Sequence, residues 1–184
     1  MTAPRKIANV LVVVLTACLL LGADKPESQN PEAEQLPQVQ PPAGFERLTQ
    51  LVGRWEGTEK TPEGEKKVAV QYALTSAGTA VVEKLFPGEP HEMLSIYHGD
   101  GSQILMTHYC ALGNQPRMRL EKGNNPKVLK FVYQDGTSMK SVKDPHMHQL
   151  TMTLEGKDRL VHEWVFFADG KQAKVVRFEL KRRK

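Results

Sequence analysis

The stretch Lys67-Val68-Ala69-Val70-Gln71-Tyr72-Ala73-Leu74 alternates along its whole length, with Val68, Val70, Tyr72 and Leu74 on one face. A period of two is the mark of a strand with one buried face. Outward from this run, the same period recurs over 79–86, 92–98, 103–111, 117–121, 127–133, 146–154, 159–167 and 172–181. Ser76-Ala77-Gly78, Gly99-Asp100-Gly101, Asp135-Gly136, Glu155-Gly156 and Asp169-Gly170 fall between consecutive runs and read as turn and hairpin signals. No intervening segment is long enough for the crossover helix that parallel strands require. The pattern predicts an all-β domain of about nine to ten short strands, each joined to its sequence neighbour. Such a meander has two open edges unless it closes. The expected product is an up-and-down antiparallel β-barrel, with a two-sheet sandwich as the alternative.

Upstream of the strands, Phe45, Leu48, Leu51 and Val52 recur at helical spacing and predict one short helix of about two turns. Residues 24–43 carry five prolines and four acids with few large apolar groups, a composition that cannot offset its ordering entropy. They read as a disordered Pro-rich linker, so the folded domain is expected over 44–184. Residues 1–23 combine Arg5 and Lys6, an apolar run over 7–21 and the small-residue exit Gly22-Ala23, the three regions of a secretory signal peptide. The apolar run is shorter than the ~20 residues of a membrane-crossing helix. Leu15-Thr16-Ala17-Cys18 also fits the site at which bacterial lipoprotein signals are cut, which leaves lipidation at Cys18 open. Cleavage after Ala23 leaves Cys110 as the only cysteine, so no internal disulfide can form. The expected location is exported, periplasmic or extracellular, with a membrane partner only if Cys18 is lipidated.

The chain has 184 residues, 40% hydrophobic and 25% charged, with a formal charge of +4. Without Arg5 and Lys6 the balance falls to 23 basic against 21 acidic residues. That is too even for a nucleic-acid footprint. Phosphate-loop, Gly-x-Ser-x-Gly, His-Glu-x-x-His, Cys-x-x-Cys and dinucleotide patterns are absent from the sequence, so no motif names a cofactor or a reaction.

Between the helix and the first strand the chain reads Leu51-Val52-Gly53-Arg54-Trp55-Glu56-Gly57. This Gly-x-Trp-x-Gly after a helical turn resembles the opening of the calycin superfamily, the lipocalins and their relatives. Thr107-His108-Tyr109-Cys110, the stretch Gly113-Asn114-Gln115-Pro116-Arg117-Met118 and His146-Met147-His148 extend the resemblance to uncharacterised secreted bacterial proteins with a lipocalin-like domain. The resemblance implies that Trp55, between Gly53 and Gly57, plugs one end of the barrel, and that an arginine of the last strand packs over its ring. Arg177 is the candidate for that arginine. The Thr-Asp-Tyr signature of classical lipocalins is missing. Nitrobindins, which share the architecture, hold haem through a histidine close to the C-terminus, whereas residues 172–181 contain none.

Polar residues on the apolar face of a strand are informative because their burial is costly unless they are partnered. Alternation places His108 and Cys110 with Ile104 and Met106. It places His146 and His148 with Leu150, Met152 and Leu154, and His162 with Leu160, Trp164 and Phe166. Tyr72 joins them, so Tyr72, His108, Cys110, His148, His162 and Trp164 are candidate cavity residues. The rim segment 112–118 adds Asn114 and Arg117, which could orient a polar head group. His146-x-His148 could chelate a transition metal with a third imidazole from His108 or His162, against the plainer reading of hydrogen-bonded barrel-mouth histidines. Cys110 beside His108 raises a thiol and base pair, although a free cysteine is commonly just a buried side chain. Glu83 and Glu163 fit solvent-facing positions in the alternation. The leading expectation is an exported, non-catalytic barrel that binds a small apolar molecule in its interior. The alternatives are a haem- or metal-binding barrel and a membrane-tethered interaction domain with a filled barrel.

Overall fold

The computed structural model describes residues 39–184; the expected signal segment and most of the linker lie outside them. The chain enters through α1 (Glu46–Thr49) and then runs through ten strands. These are β1 (Gly53–Thr61), β2 (Gly64–Thr75), β3 (Ala80–Leu85), β4 (Met93–Asp100) and β5 (Gln103–Tyr109), followed by β6 (Gln115–Leu120), β7 (Val128–Thr137), β8 (His146–Leu154), β9 (Arg159–Ala168) and β10 (Lys171–Arg182). Every strand pairs antiparallel with its sequence neighbour, and β10 returns to β1 to close the barrel. Trp55, Gly57 and Glu59 face Arg182, Leu180 and Phe178 across that seam. Closure removes both open edges and excludes the sandwich. Among the described residues no helix is long and apolar enough to cross a membrane.

The helix is shorter than its periodicity suggests, yet its apolar spacing does the expected packing. Phe45, Leu48 and Leu51 are all buried, while Val52 is exposed. They close the end of the barrel where β1 starts and β10 finishes. Arg47 ties this plug to the strands by donating to the Val128 carbonyl at 3.2 Å. The preceding chain is held too, because Phe45 N donates to the Pro42 carbonyl at 3.1 Å.

Gly57 is required at the seam for a steric reason. A Cβ there would stand 1.8 Å from the Glu179 carbonyl oxygen, so β1 and β10 can approach only if this side chain is hydrogen. Two sequence expectations shift. Asp135 and Gly136 are not a hairpin turn but part of β7, paired with Arg117 and Pro116; the chain reverses later, after Ser138 takes φ 56. Leu74 keeps the apolar parity of β2 but lies at the strand's end, 46% exposed.

The arginine over Trp55 is Arg182, not Arg177. The Arg182 guanidinium carbon lies 4.1 Å from the indole centroid, while Arg177 pairs with Glu163 and Glu179 on the outer surface. Parity is the cause: Phe178, Leu180 and Arg182 face the strand positions of Glu59, Gly57 and Trp55, which puts Arg177 on the opposite face. Trp55 itself is buried, and its Nε1 donates to the Leu51 carbonyl at 2.8 Å.

Candidate functional site

The interior is polar at its centre. Glu83 of β3 is fully buried, which corrects the solvent-facing assignment. Val81 and Val82 are adjacent, so alternation alone leaves the phase of β3 open, and the pairing of Glu83 with Tyr72 and Ser95 settles it. Tyr72 Oη donates to Glu83 Oε1 at 2.6 Å, and Tyr97 Oη donates to Oε2 at 2.8 Å. His162 Nε2 lies 2.9 Å from Tyr72 Oη, and its Nδ1 stands 3.8 Å from Glu83 Oε1. Burial raises the Glu83 carboxyl above its ordinary range, with Tyr72, Ser95 and Tyr97 opposing that shift through hydrogen bonds. Burial also pushes the His162 imidazole down to about 3. A neutral imidazole and a carboxyl fed by two phenolic hydroxyls can share a low-dielectric interior without an unpaired charge.

His108 forms the next layer. Its Nδ1 lies 3.0 Å from Ser95 Oγ, its ring packs against Trp164 with centroids 4.7 Å apart, and burial pushes it down to about 4. His108 and Trp164 form part of the wall of a cavity of about 190 Å³, completed by Leu85, Phe86, Met93, Met147, Val176 and Phe178, with Glu59 and Lys174. Lys174 Nζ and Glu59 Oε1 are 3.7 Å apart. The cavity occupies the end of the barrel opposite the α1 plug. His108 Nε2 and Trp164 Nε1 are buried without a hydrogen-bond partner, which is rare for buried polar atoms and calls for an explanation. A larger groove of about 980 Å³ on the β1–β2 side is lined by Arg54, Lys66, Lys67, Glu89 and His91 among others, but contains none of these unpartnered atoms.

The other predicted residues disperse. Tyr72 and His162 lie in the Glu83 layer rather than on the cavity wall. His146 and His148 do not join His108, because β8 bulges between Met147 and Gln149 and it is Met147 that reaches the cavity. The two histidines contact each other, with His146 Nε2 3.0 Å from His148 Nδ1, and His148 stacks between Tyr133 and Phe167. Among the described residues no group of three His, Cys, Asp or Glu is placed to hold a metal, so the set His146, His148 and His108 is not assembled.

Cys110 follows the end of β5 in a turn where Gly113 N donates to its carbonyl at 2.9 Å. Burial raises its thiol, the opposite of an activated nucleophile, and it does not line the cavity. Asn114 is buried and donates to the Pro145 carbonyl at 2.7 Å. Arg117 is exposed and doubly paired with Asp135. Both support the rim; neither reaches the cavity.

Sequence reasoning missed Glu83, Ser95 and Tyr97. Ser95 and Tyr97 share one parity of β4, a signal that was legible, but the phase of β3 was not.

Comparison with known proteins bears on the fold. No protein-family model matches the sequence, and no curated protein matches it. Among solved structures, the crystal structure of Rv2717c from M. tuberculosis is similar, with a TM-score of 0.53 and 16% identity over 79% of this chain and 100% of that one. At that identity the likeness concerns architecture, an antiparallel β-barrel.

Proposed function

We propose that this protein is a non-catalytic binding barrel that holds one compact, largely apolar molecule in the cavity beside His108 and Trp164. The observation that carries this reading is the cavity itself, walled in part by the interior residues His108 and Trp164. The walls are otherwise mostly aliphatic and aromatic, the usual composition of a ligand site with a few placed polar groups. At about 190 Å³ the space suits a ligand smaller than the drug-sized ones that fill ~300 Å³ or more. A wholly filled barrel acting as a tethered interaction domain leaves this space unexplained.

The same reading places the chain with calycin-like barrels, supported by the helical plug, Trp55 and the arginine over it. Export is part of the proposal, with cleavage near Ala23 or at a lipidated Cys18. The intact mass of the mature protein distinguishes these, and retention of all 184 residues overturns both.

Binding is tested with native mass spectrometry of protein from its own host and by calorimetric titration with benzene and toluene, since dry apolar cavities of ~150 Å³ accept benzene. A co-purifying small molecule, or saturable binding that Val176→Trp abolishes, is the expected result. Absence of both overturns the reading.

A haem reading would use His108 as the single protein ligand of the iron, but a space of about 190 Å³ does not fit that group.

A further inference from the structure

Two charged side chains stand on the wall of the cavity, Glu59 of β1 and Lys174 of β10. Glu59 lies opposite the buried Phe178 across the seam, so it shares the inward parity of Trp55 and Gly57, toward the end of the barrel away from the plug. Its side chain is only 14% exposed, whereas that of Lys174 is 58% exposed. Their charged ends are 3.7 Å apart, too far for a hydrogen bond, and an ion pair held by so exposed a lysine contributes little. Lys66, opposite Glu59 on β2, is exposed and lines the outer groove rather than the cavity. Among the described residues, Glu59 thus has one loosely held counter-ion with an open path to solvent. Glu59 and Phe86 line both the cavity and the groove, so they mark the place where the cavity meets the exterior.

From this geometry we propose that the ligand is a compact amine, with an apolar body that fills the cavity and an ammonium group that displaces Lys174 and donates to the Glu59 carboxylate. This rests on the binding reading above and adds the chemical class. A carboxylate largely withdrawn from water is costly without a close partner. An ammonium held on the cavity side brings three donors to it, and a charge-assisted hydrogen bond is stronger than the long pair it replaces. Lys174 loses little by turning outward, because it is already mostly exposed. A ligand carboxylate would instead bring like charge beside Glu59, which is unfavourable in a partly desolvated site. A neutral head group leaves the long ion pair as it is.

The test uses the purified full chain and three probes of similar size, benzylamine, benzyl alcohol and benzoate, with toluene as the measure of the apolar cavity. At neutral pH calorimetry is expected to give benzylamine about tenfold or more tighter than benzyl alcohol, the margin of one close charge pair, and benzoate weaker than either. Added salt should narrow that margin. Glu59→Gln should cancel it while toluene binds as it does to the parent, which shows that the variant folds. Lys174→Gln should widen it by removing the competing ammonium, the opposite of what the loss of a ligand-holding lysine would do. Benzylamine no tighter than benzyl alcohol, benzoate the tightest of the three, or a margin that persists in Glu59→Gln overturns the proposal, while toluene binding upholds the cavity's role. Failure of all four compounds to bind overturns both.

Discussion

The guanidinium of Arg182 lies 4.1 Å over the Trp55 indole while donating to the Val52 and Gln50 carbonyls at 2.7 and 2.6 Å. One side chain from the last strand thus covers the aromatic plug and satisfies backbone carbonyls at the end of the helical turn. The barrel is sealed at the point where its first and last strands meet.

Truncating this pair should be costly in proportion to what each buries. Trp55→Ala is expected to lose about 3–5 kcal/mol, the usual range for a buried aromatic. Arg182→Ala is expected to lose about 1–3 kcal/mol through the uncapped carbonyls and the lost cation–π contact. Arg177→Ala removes only exposed ion pairs and should stay within about 0.5 kcal/mol. Urea denaturation of the three variants checks this order.

Gly57→Ala should act on closure itself. The new methyl carbon would meet the Glu179 carbonyl at 1.8 Å, and backbone cannot yield as a flexible side chain can. A loss at or above the ~3 kcal/mol end of overpacking effects is expected, with hydrogen exchange accelerating first in β1 and β10. A melting temperature equal to the parent's would mean the seam tolerates a side chain.

Acid should unfold the barrel through its buried imidazoles. His162 falls from 6.5 to about 3 in the folded state, and His108 from 6.5 to about 4. The unfolded chain therefore takes up protons first, and stability present above pH 6.5 drains away as pH falls toward those folded values. For fully buried His162 the span amounts to about 5 kcal/mol. Denaturant titrations at descending pH should show this decline, with a shallower slope in His162→Gln.

Glu83 should impose the opposite slope. Its folded carboxyl titrates above the ordinary 4.5, so the native state holds its proton longer than the unfolded chain does. Its contribution is complete below about pH 4.5 and is lost as pH rises through the folded value, at up to ~1.4 kcal/mol per pH unit. Glu83→Gln mimics the protonated acid and should flatten that side of the profile. An unchanged profile would mean that Glu83 is ionised throughout.

Strand number, antiparallel order and the plugging helix were legible in the sequence because they depend on local rules. Alternation, short connections and Gly-containing turns leave an antiparallel meander few ways to bury one face, and Gly53, Trp55 and Gly57 mark where it begins. Side-chain parity within a strand is equally local, and applied to Phe178, Leu180 and Arg182 it points to the arginine that covers Trp55. The sequence could not set the phase of β3, where Val81 and Val82 both suit a core and only the pairing with β2 and β4 turns Glu83 inward. Nor could it locate the β8 bulge that exchanges the histidines for Met147 at the cavity. Both depend on register between strands, which is decided by which partners fit across the barrel. Tertiary pairing alone therefore built the Glu83, Ser95 and His108 series from three strands whose sequences give no sign of one another.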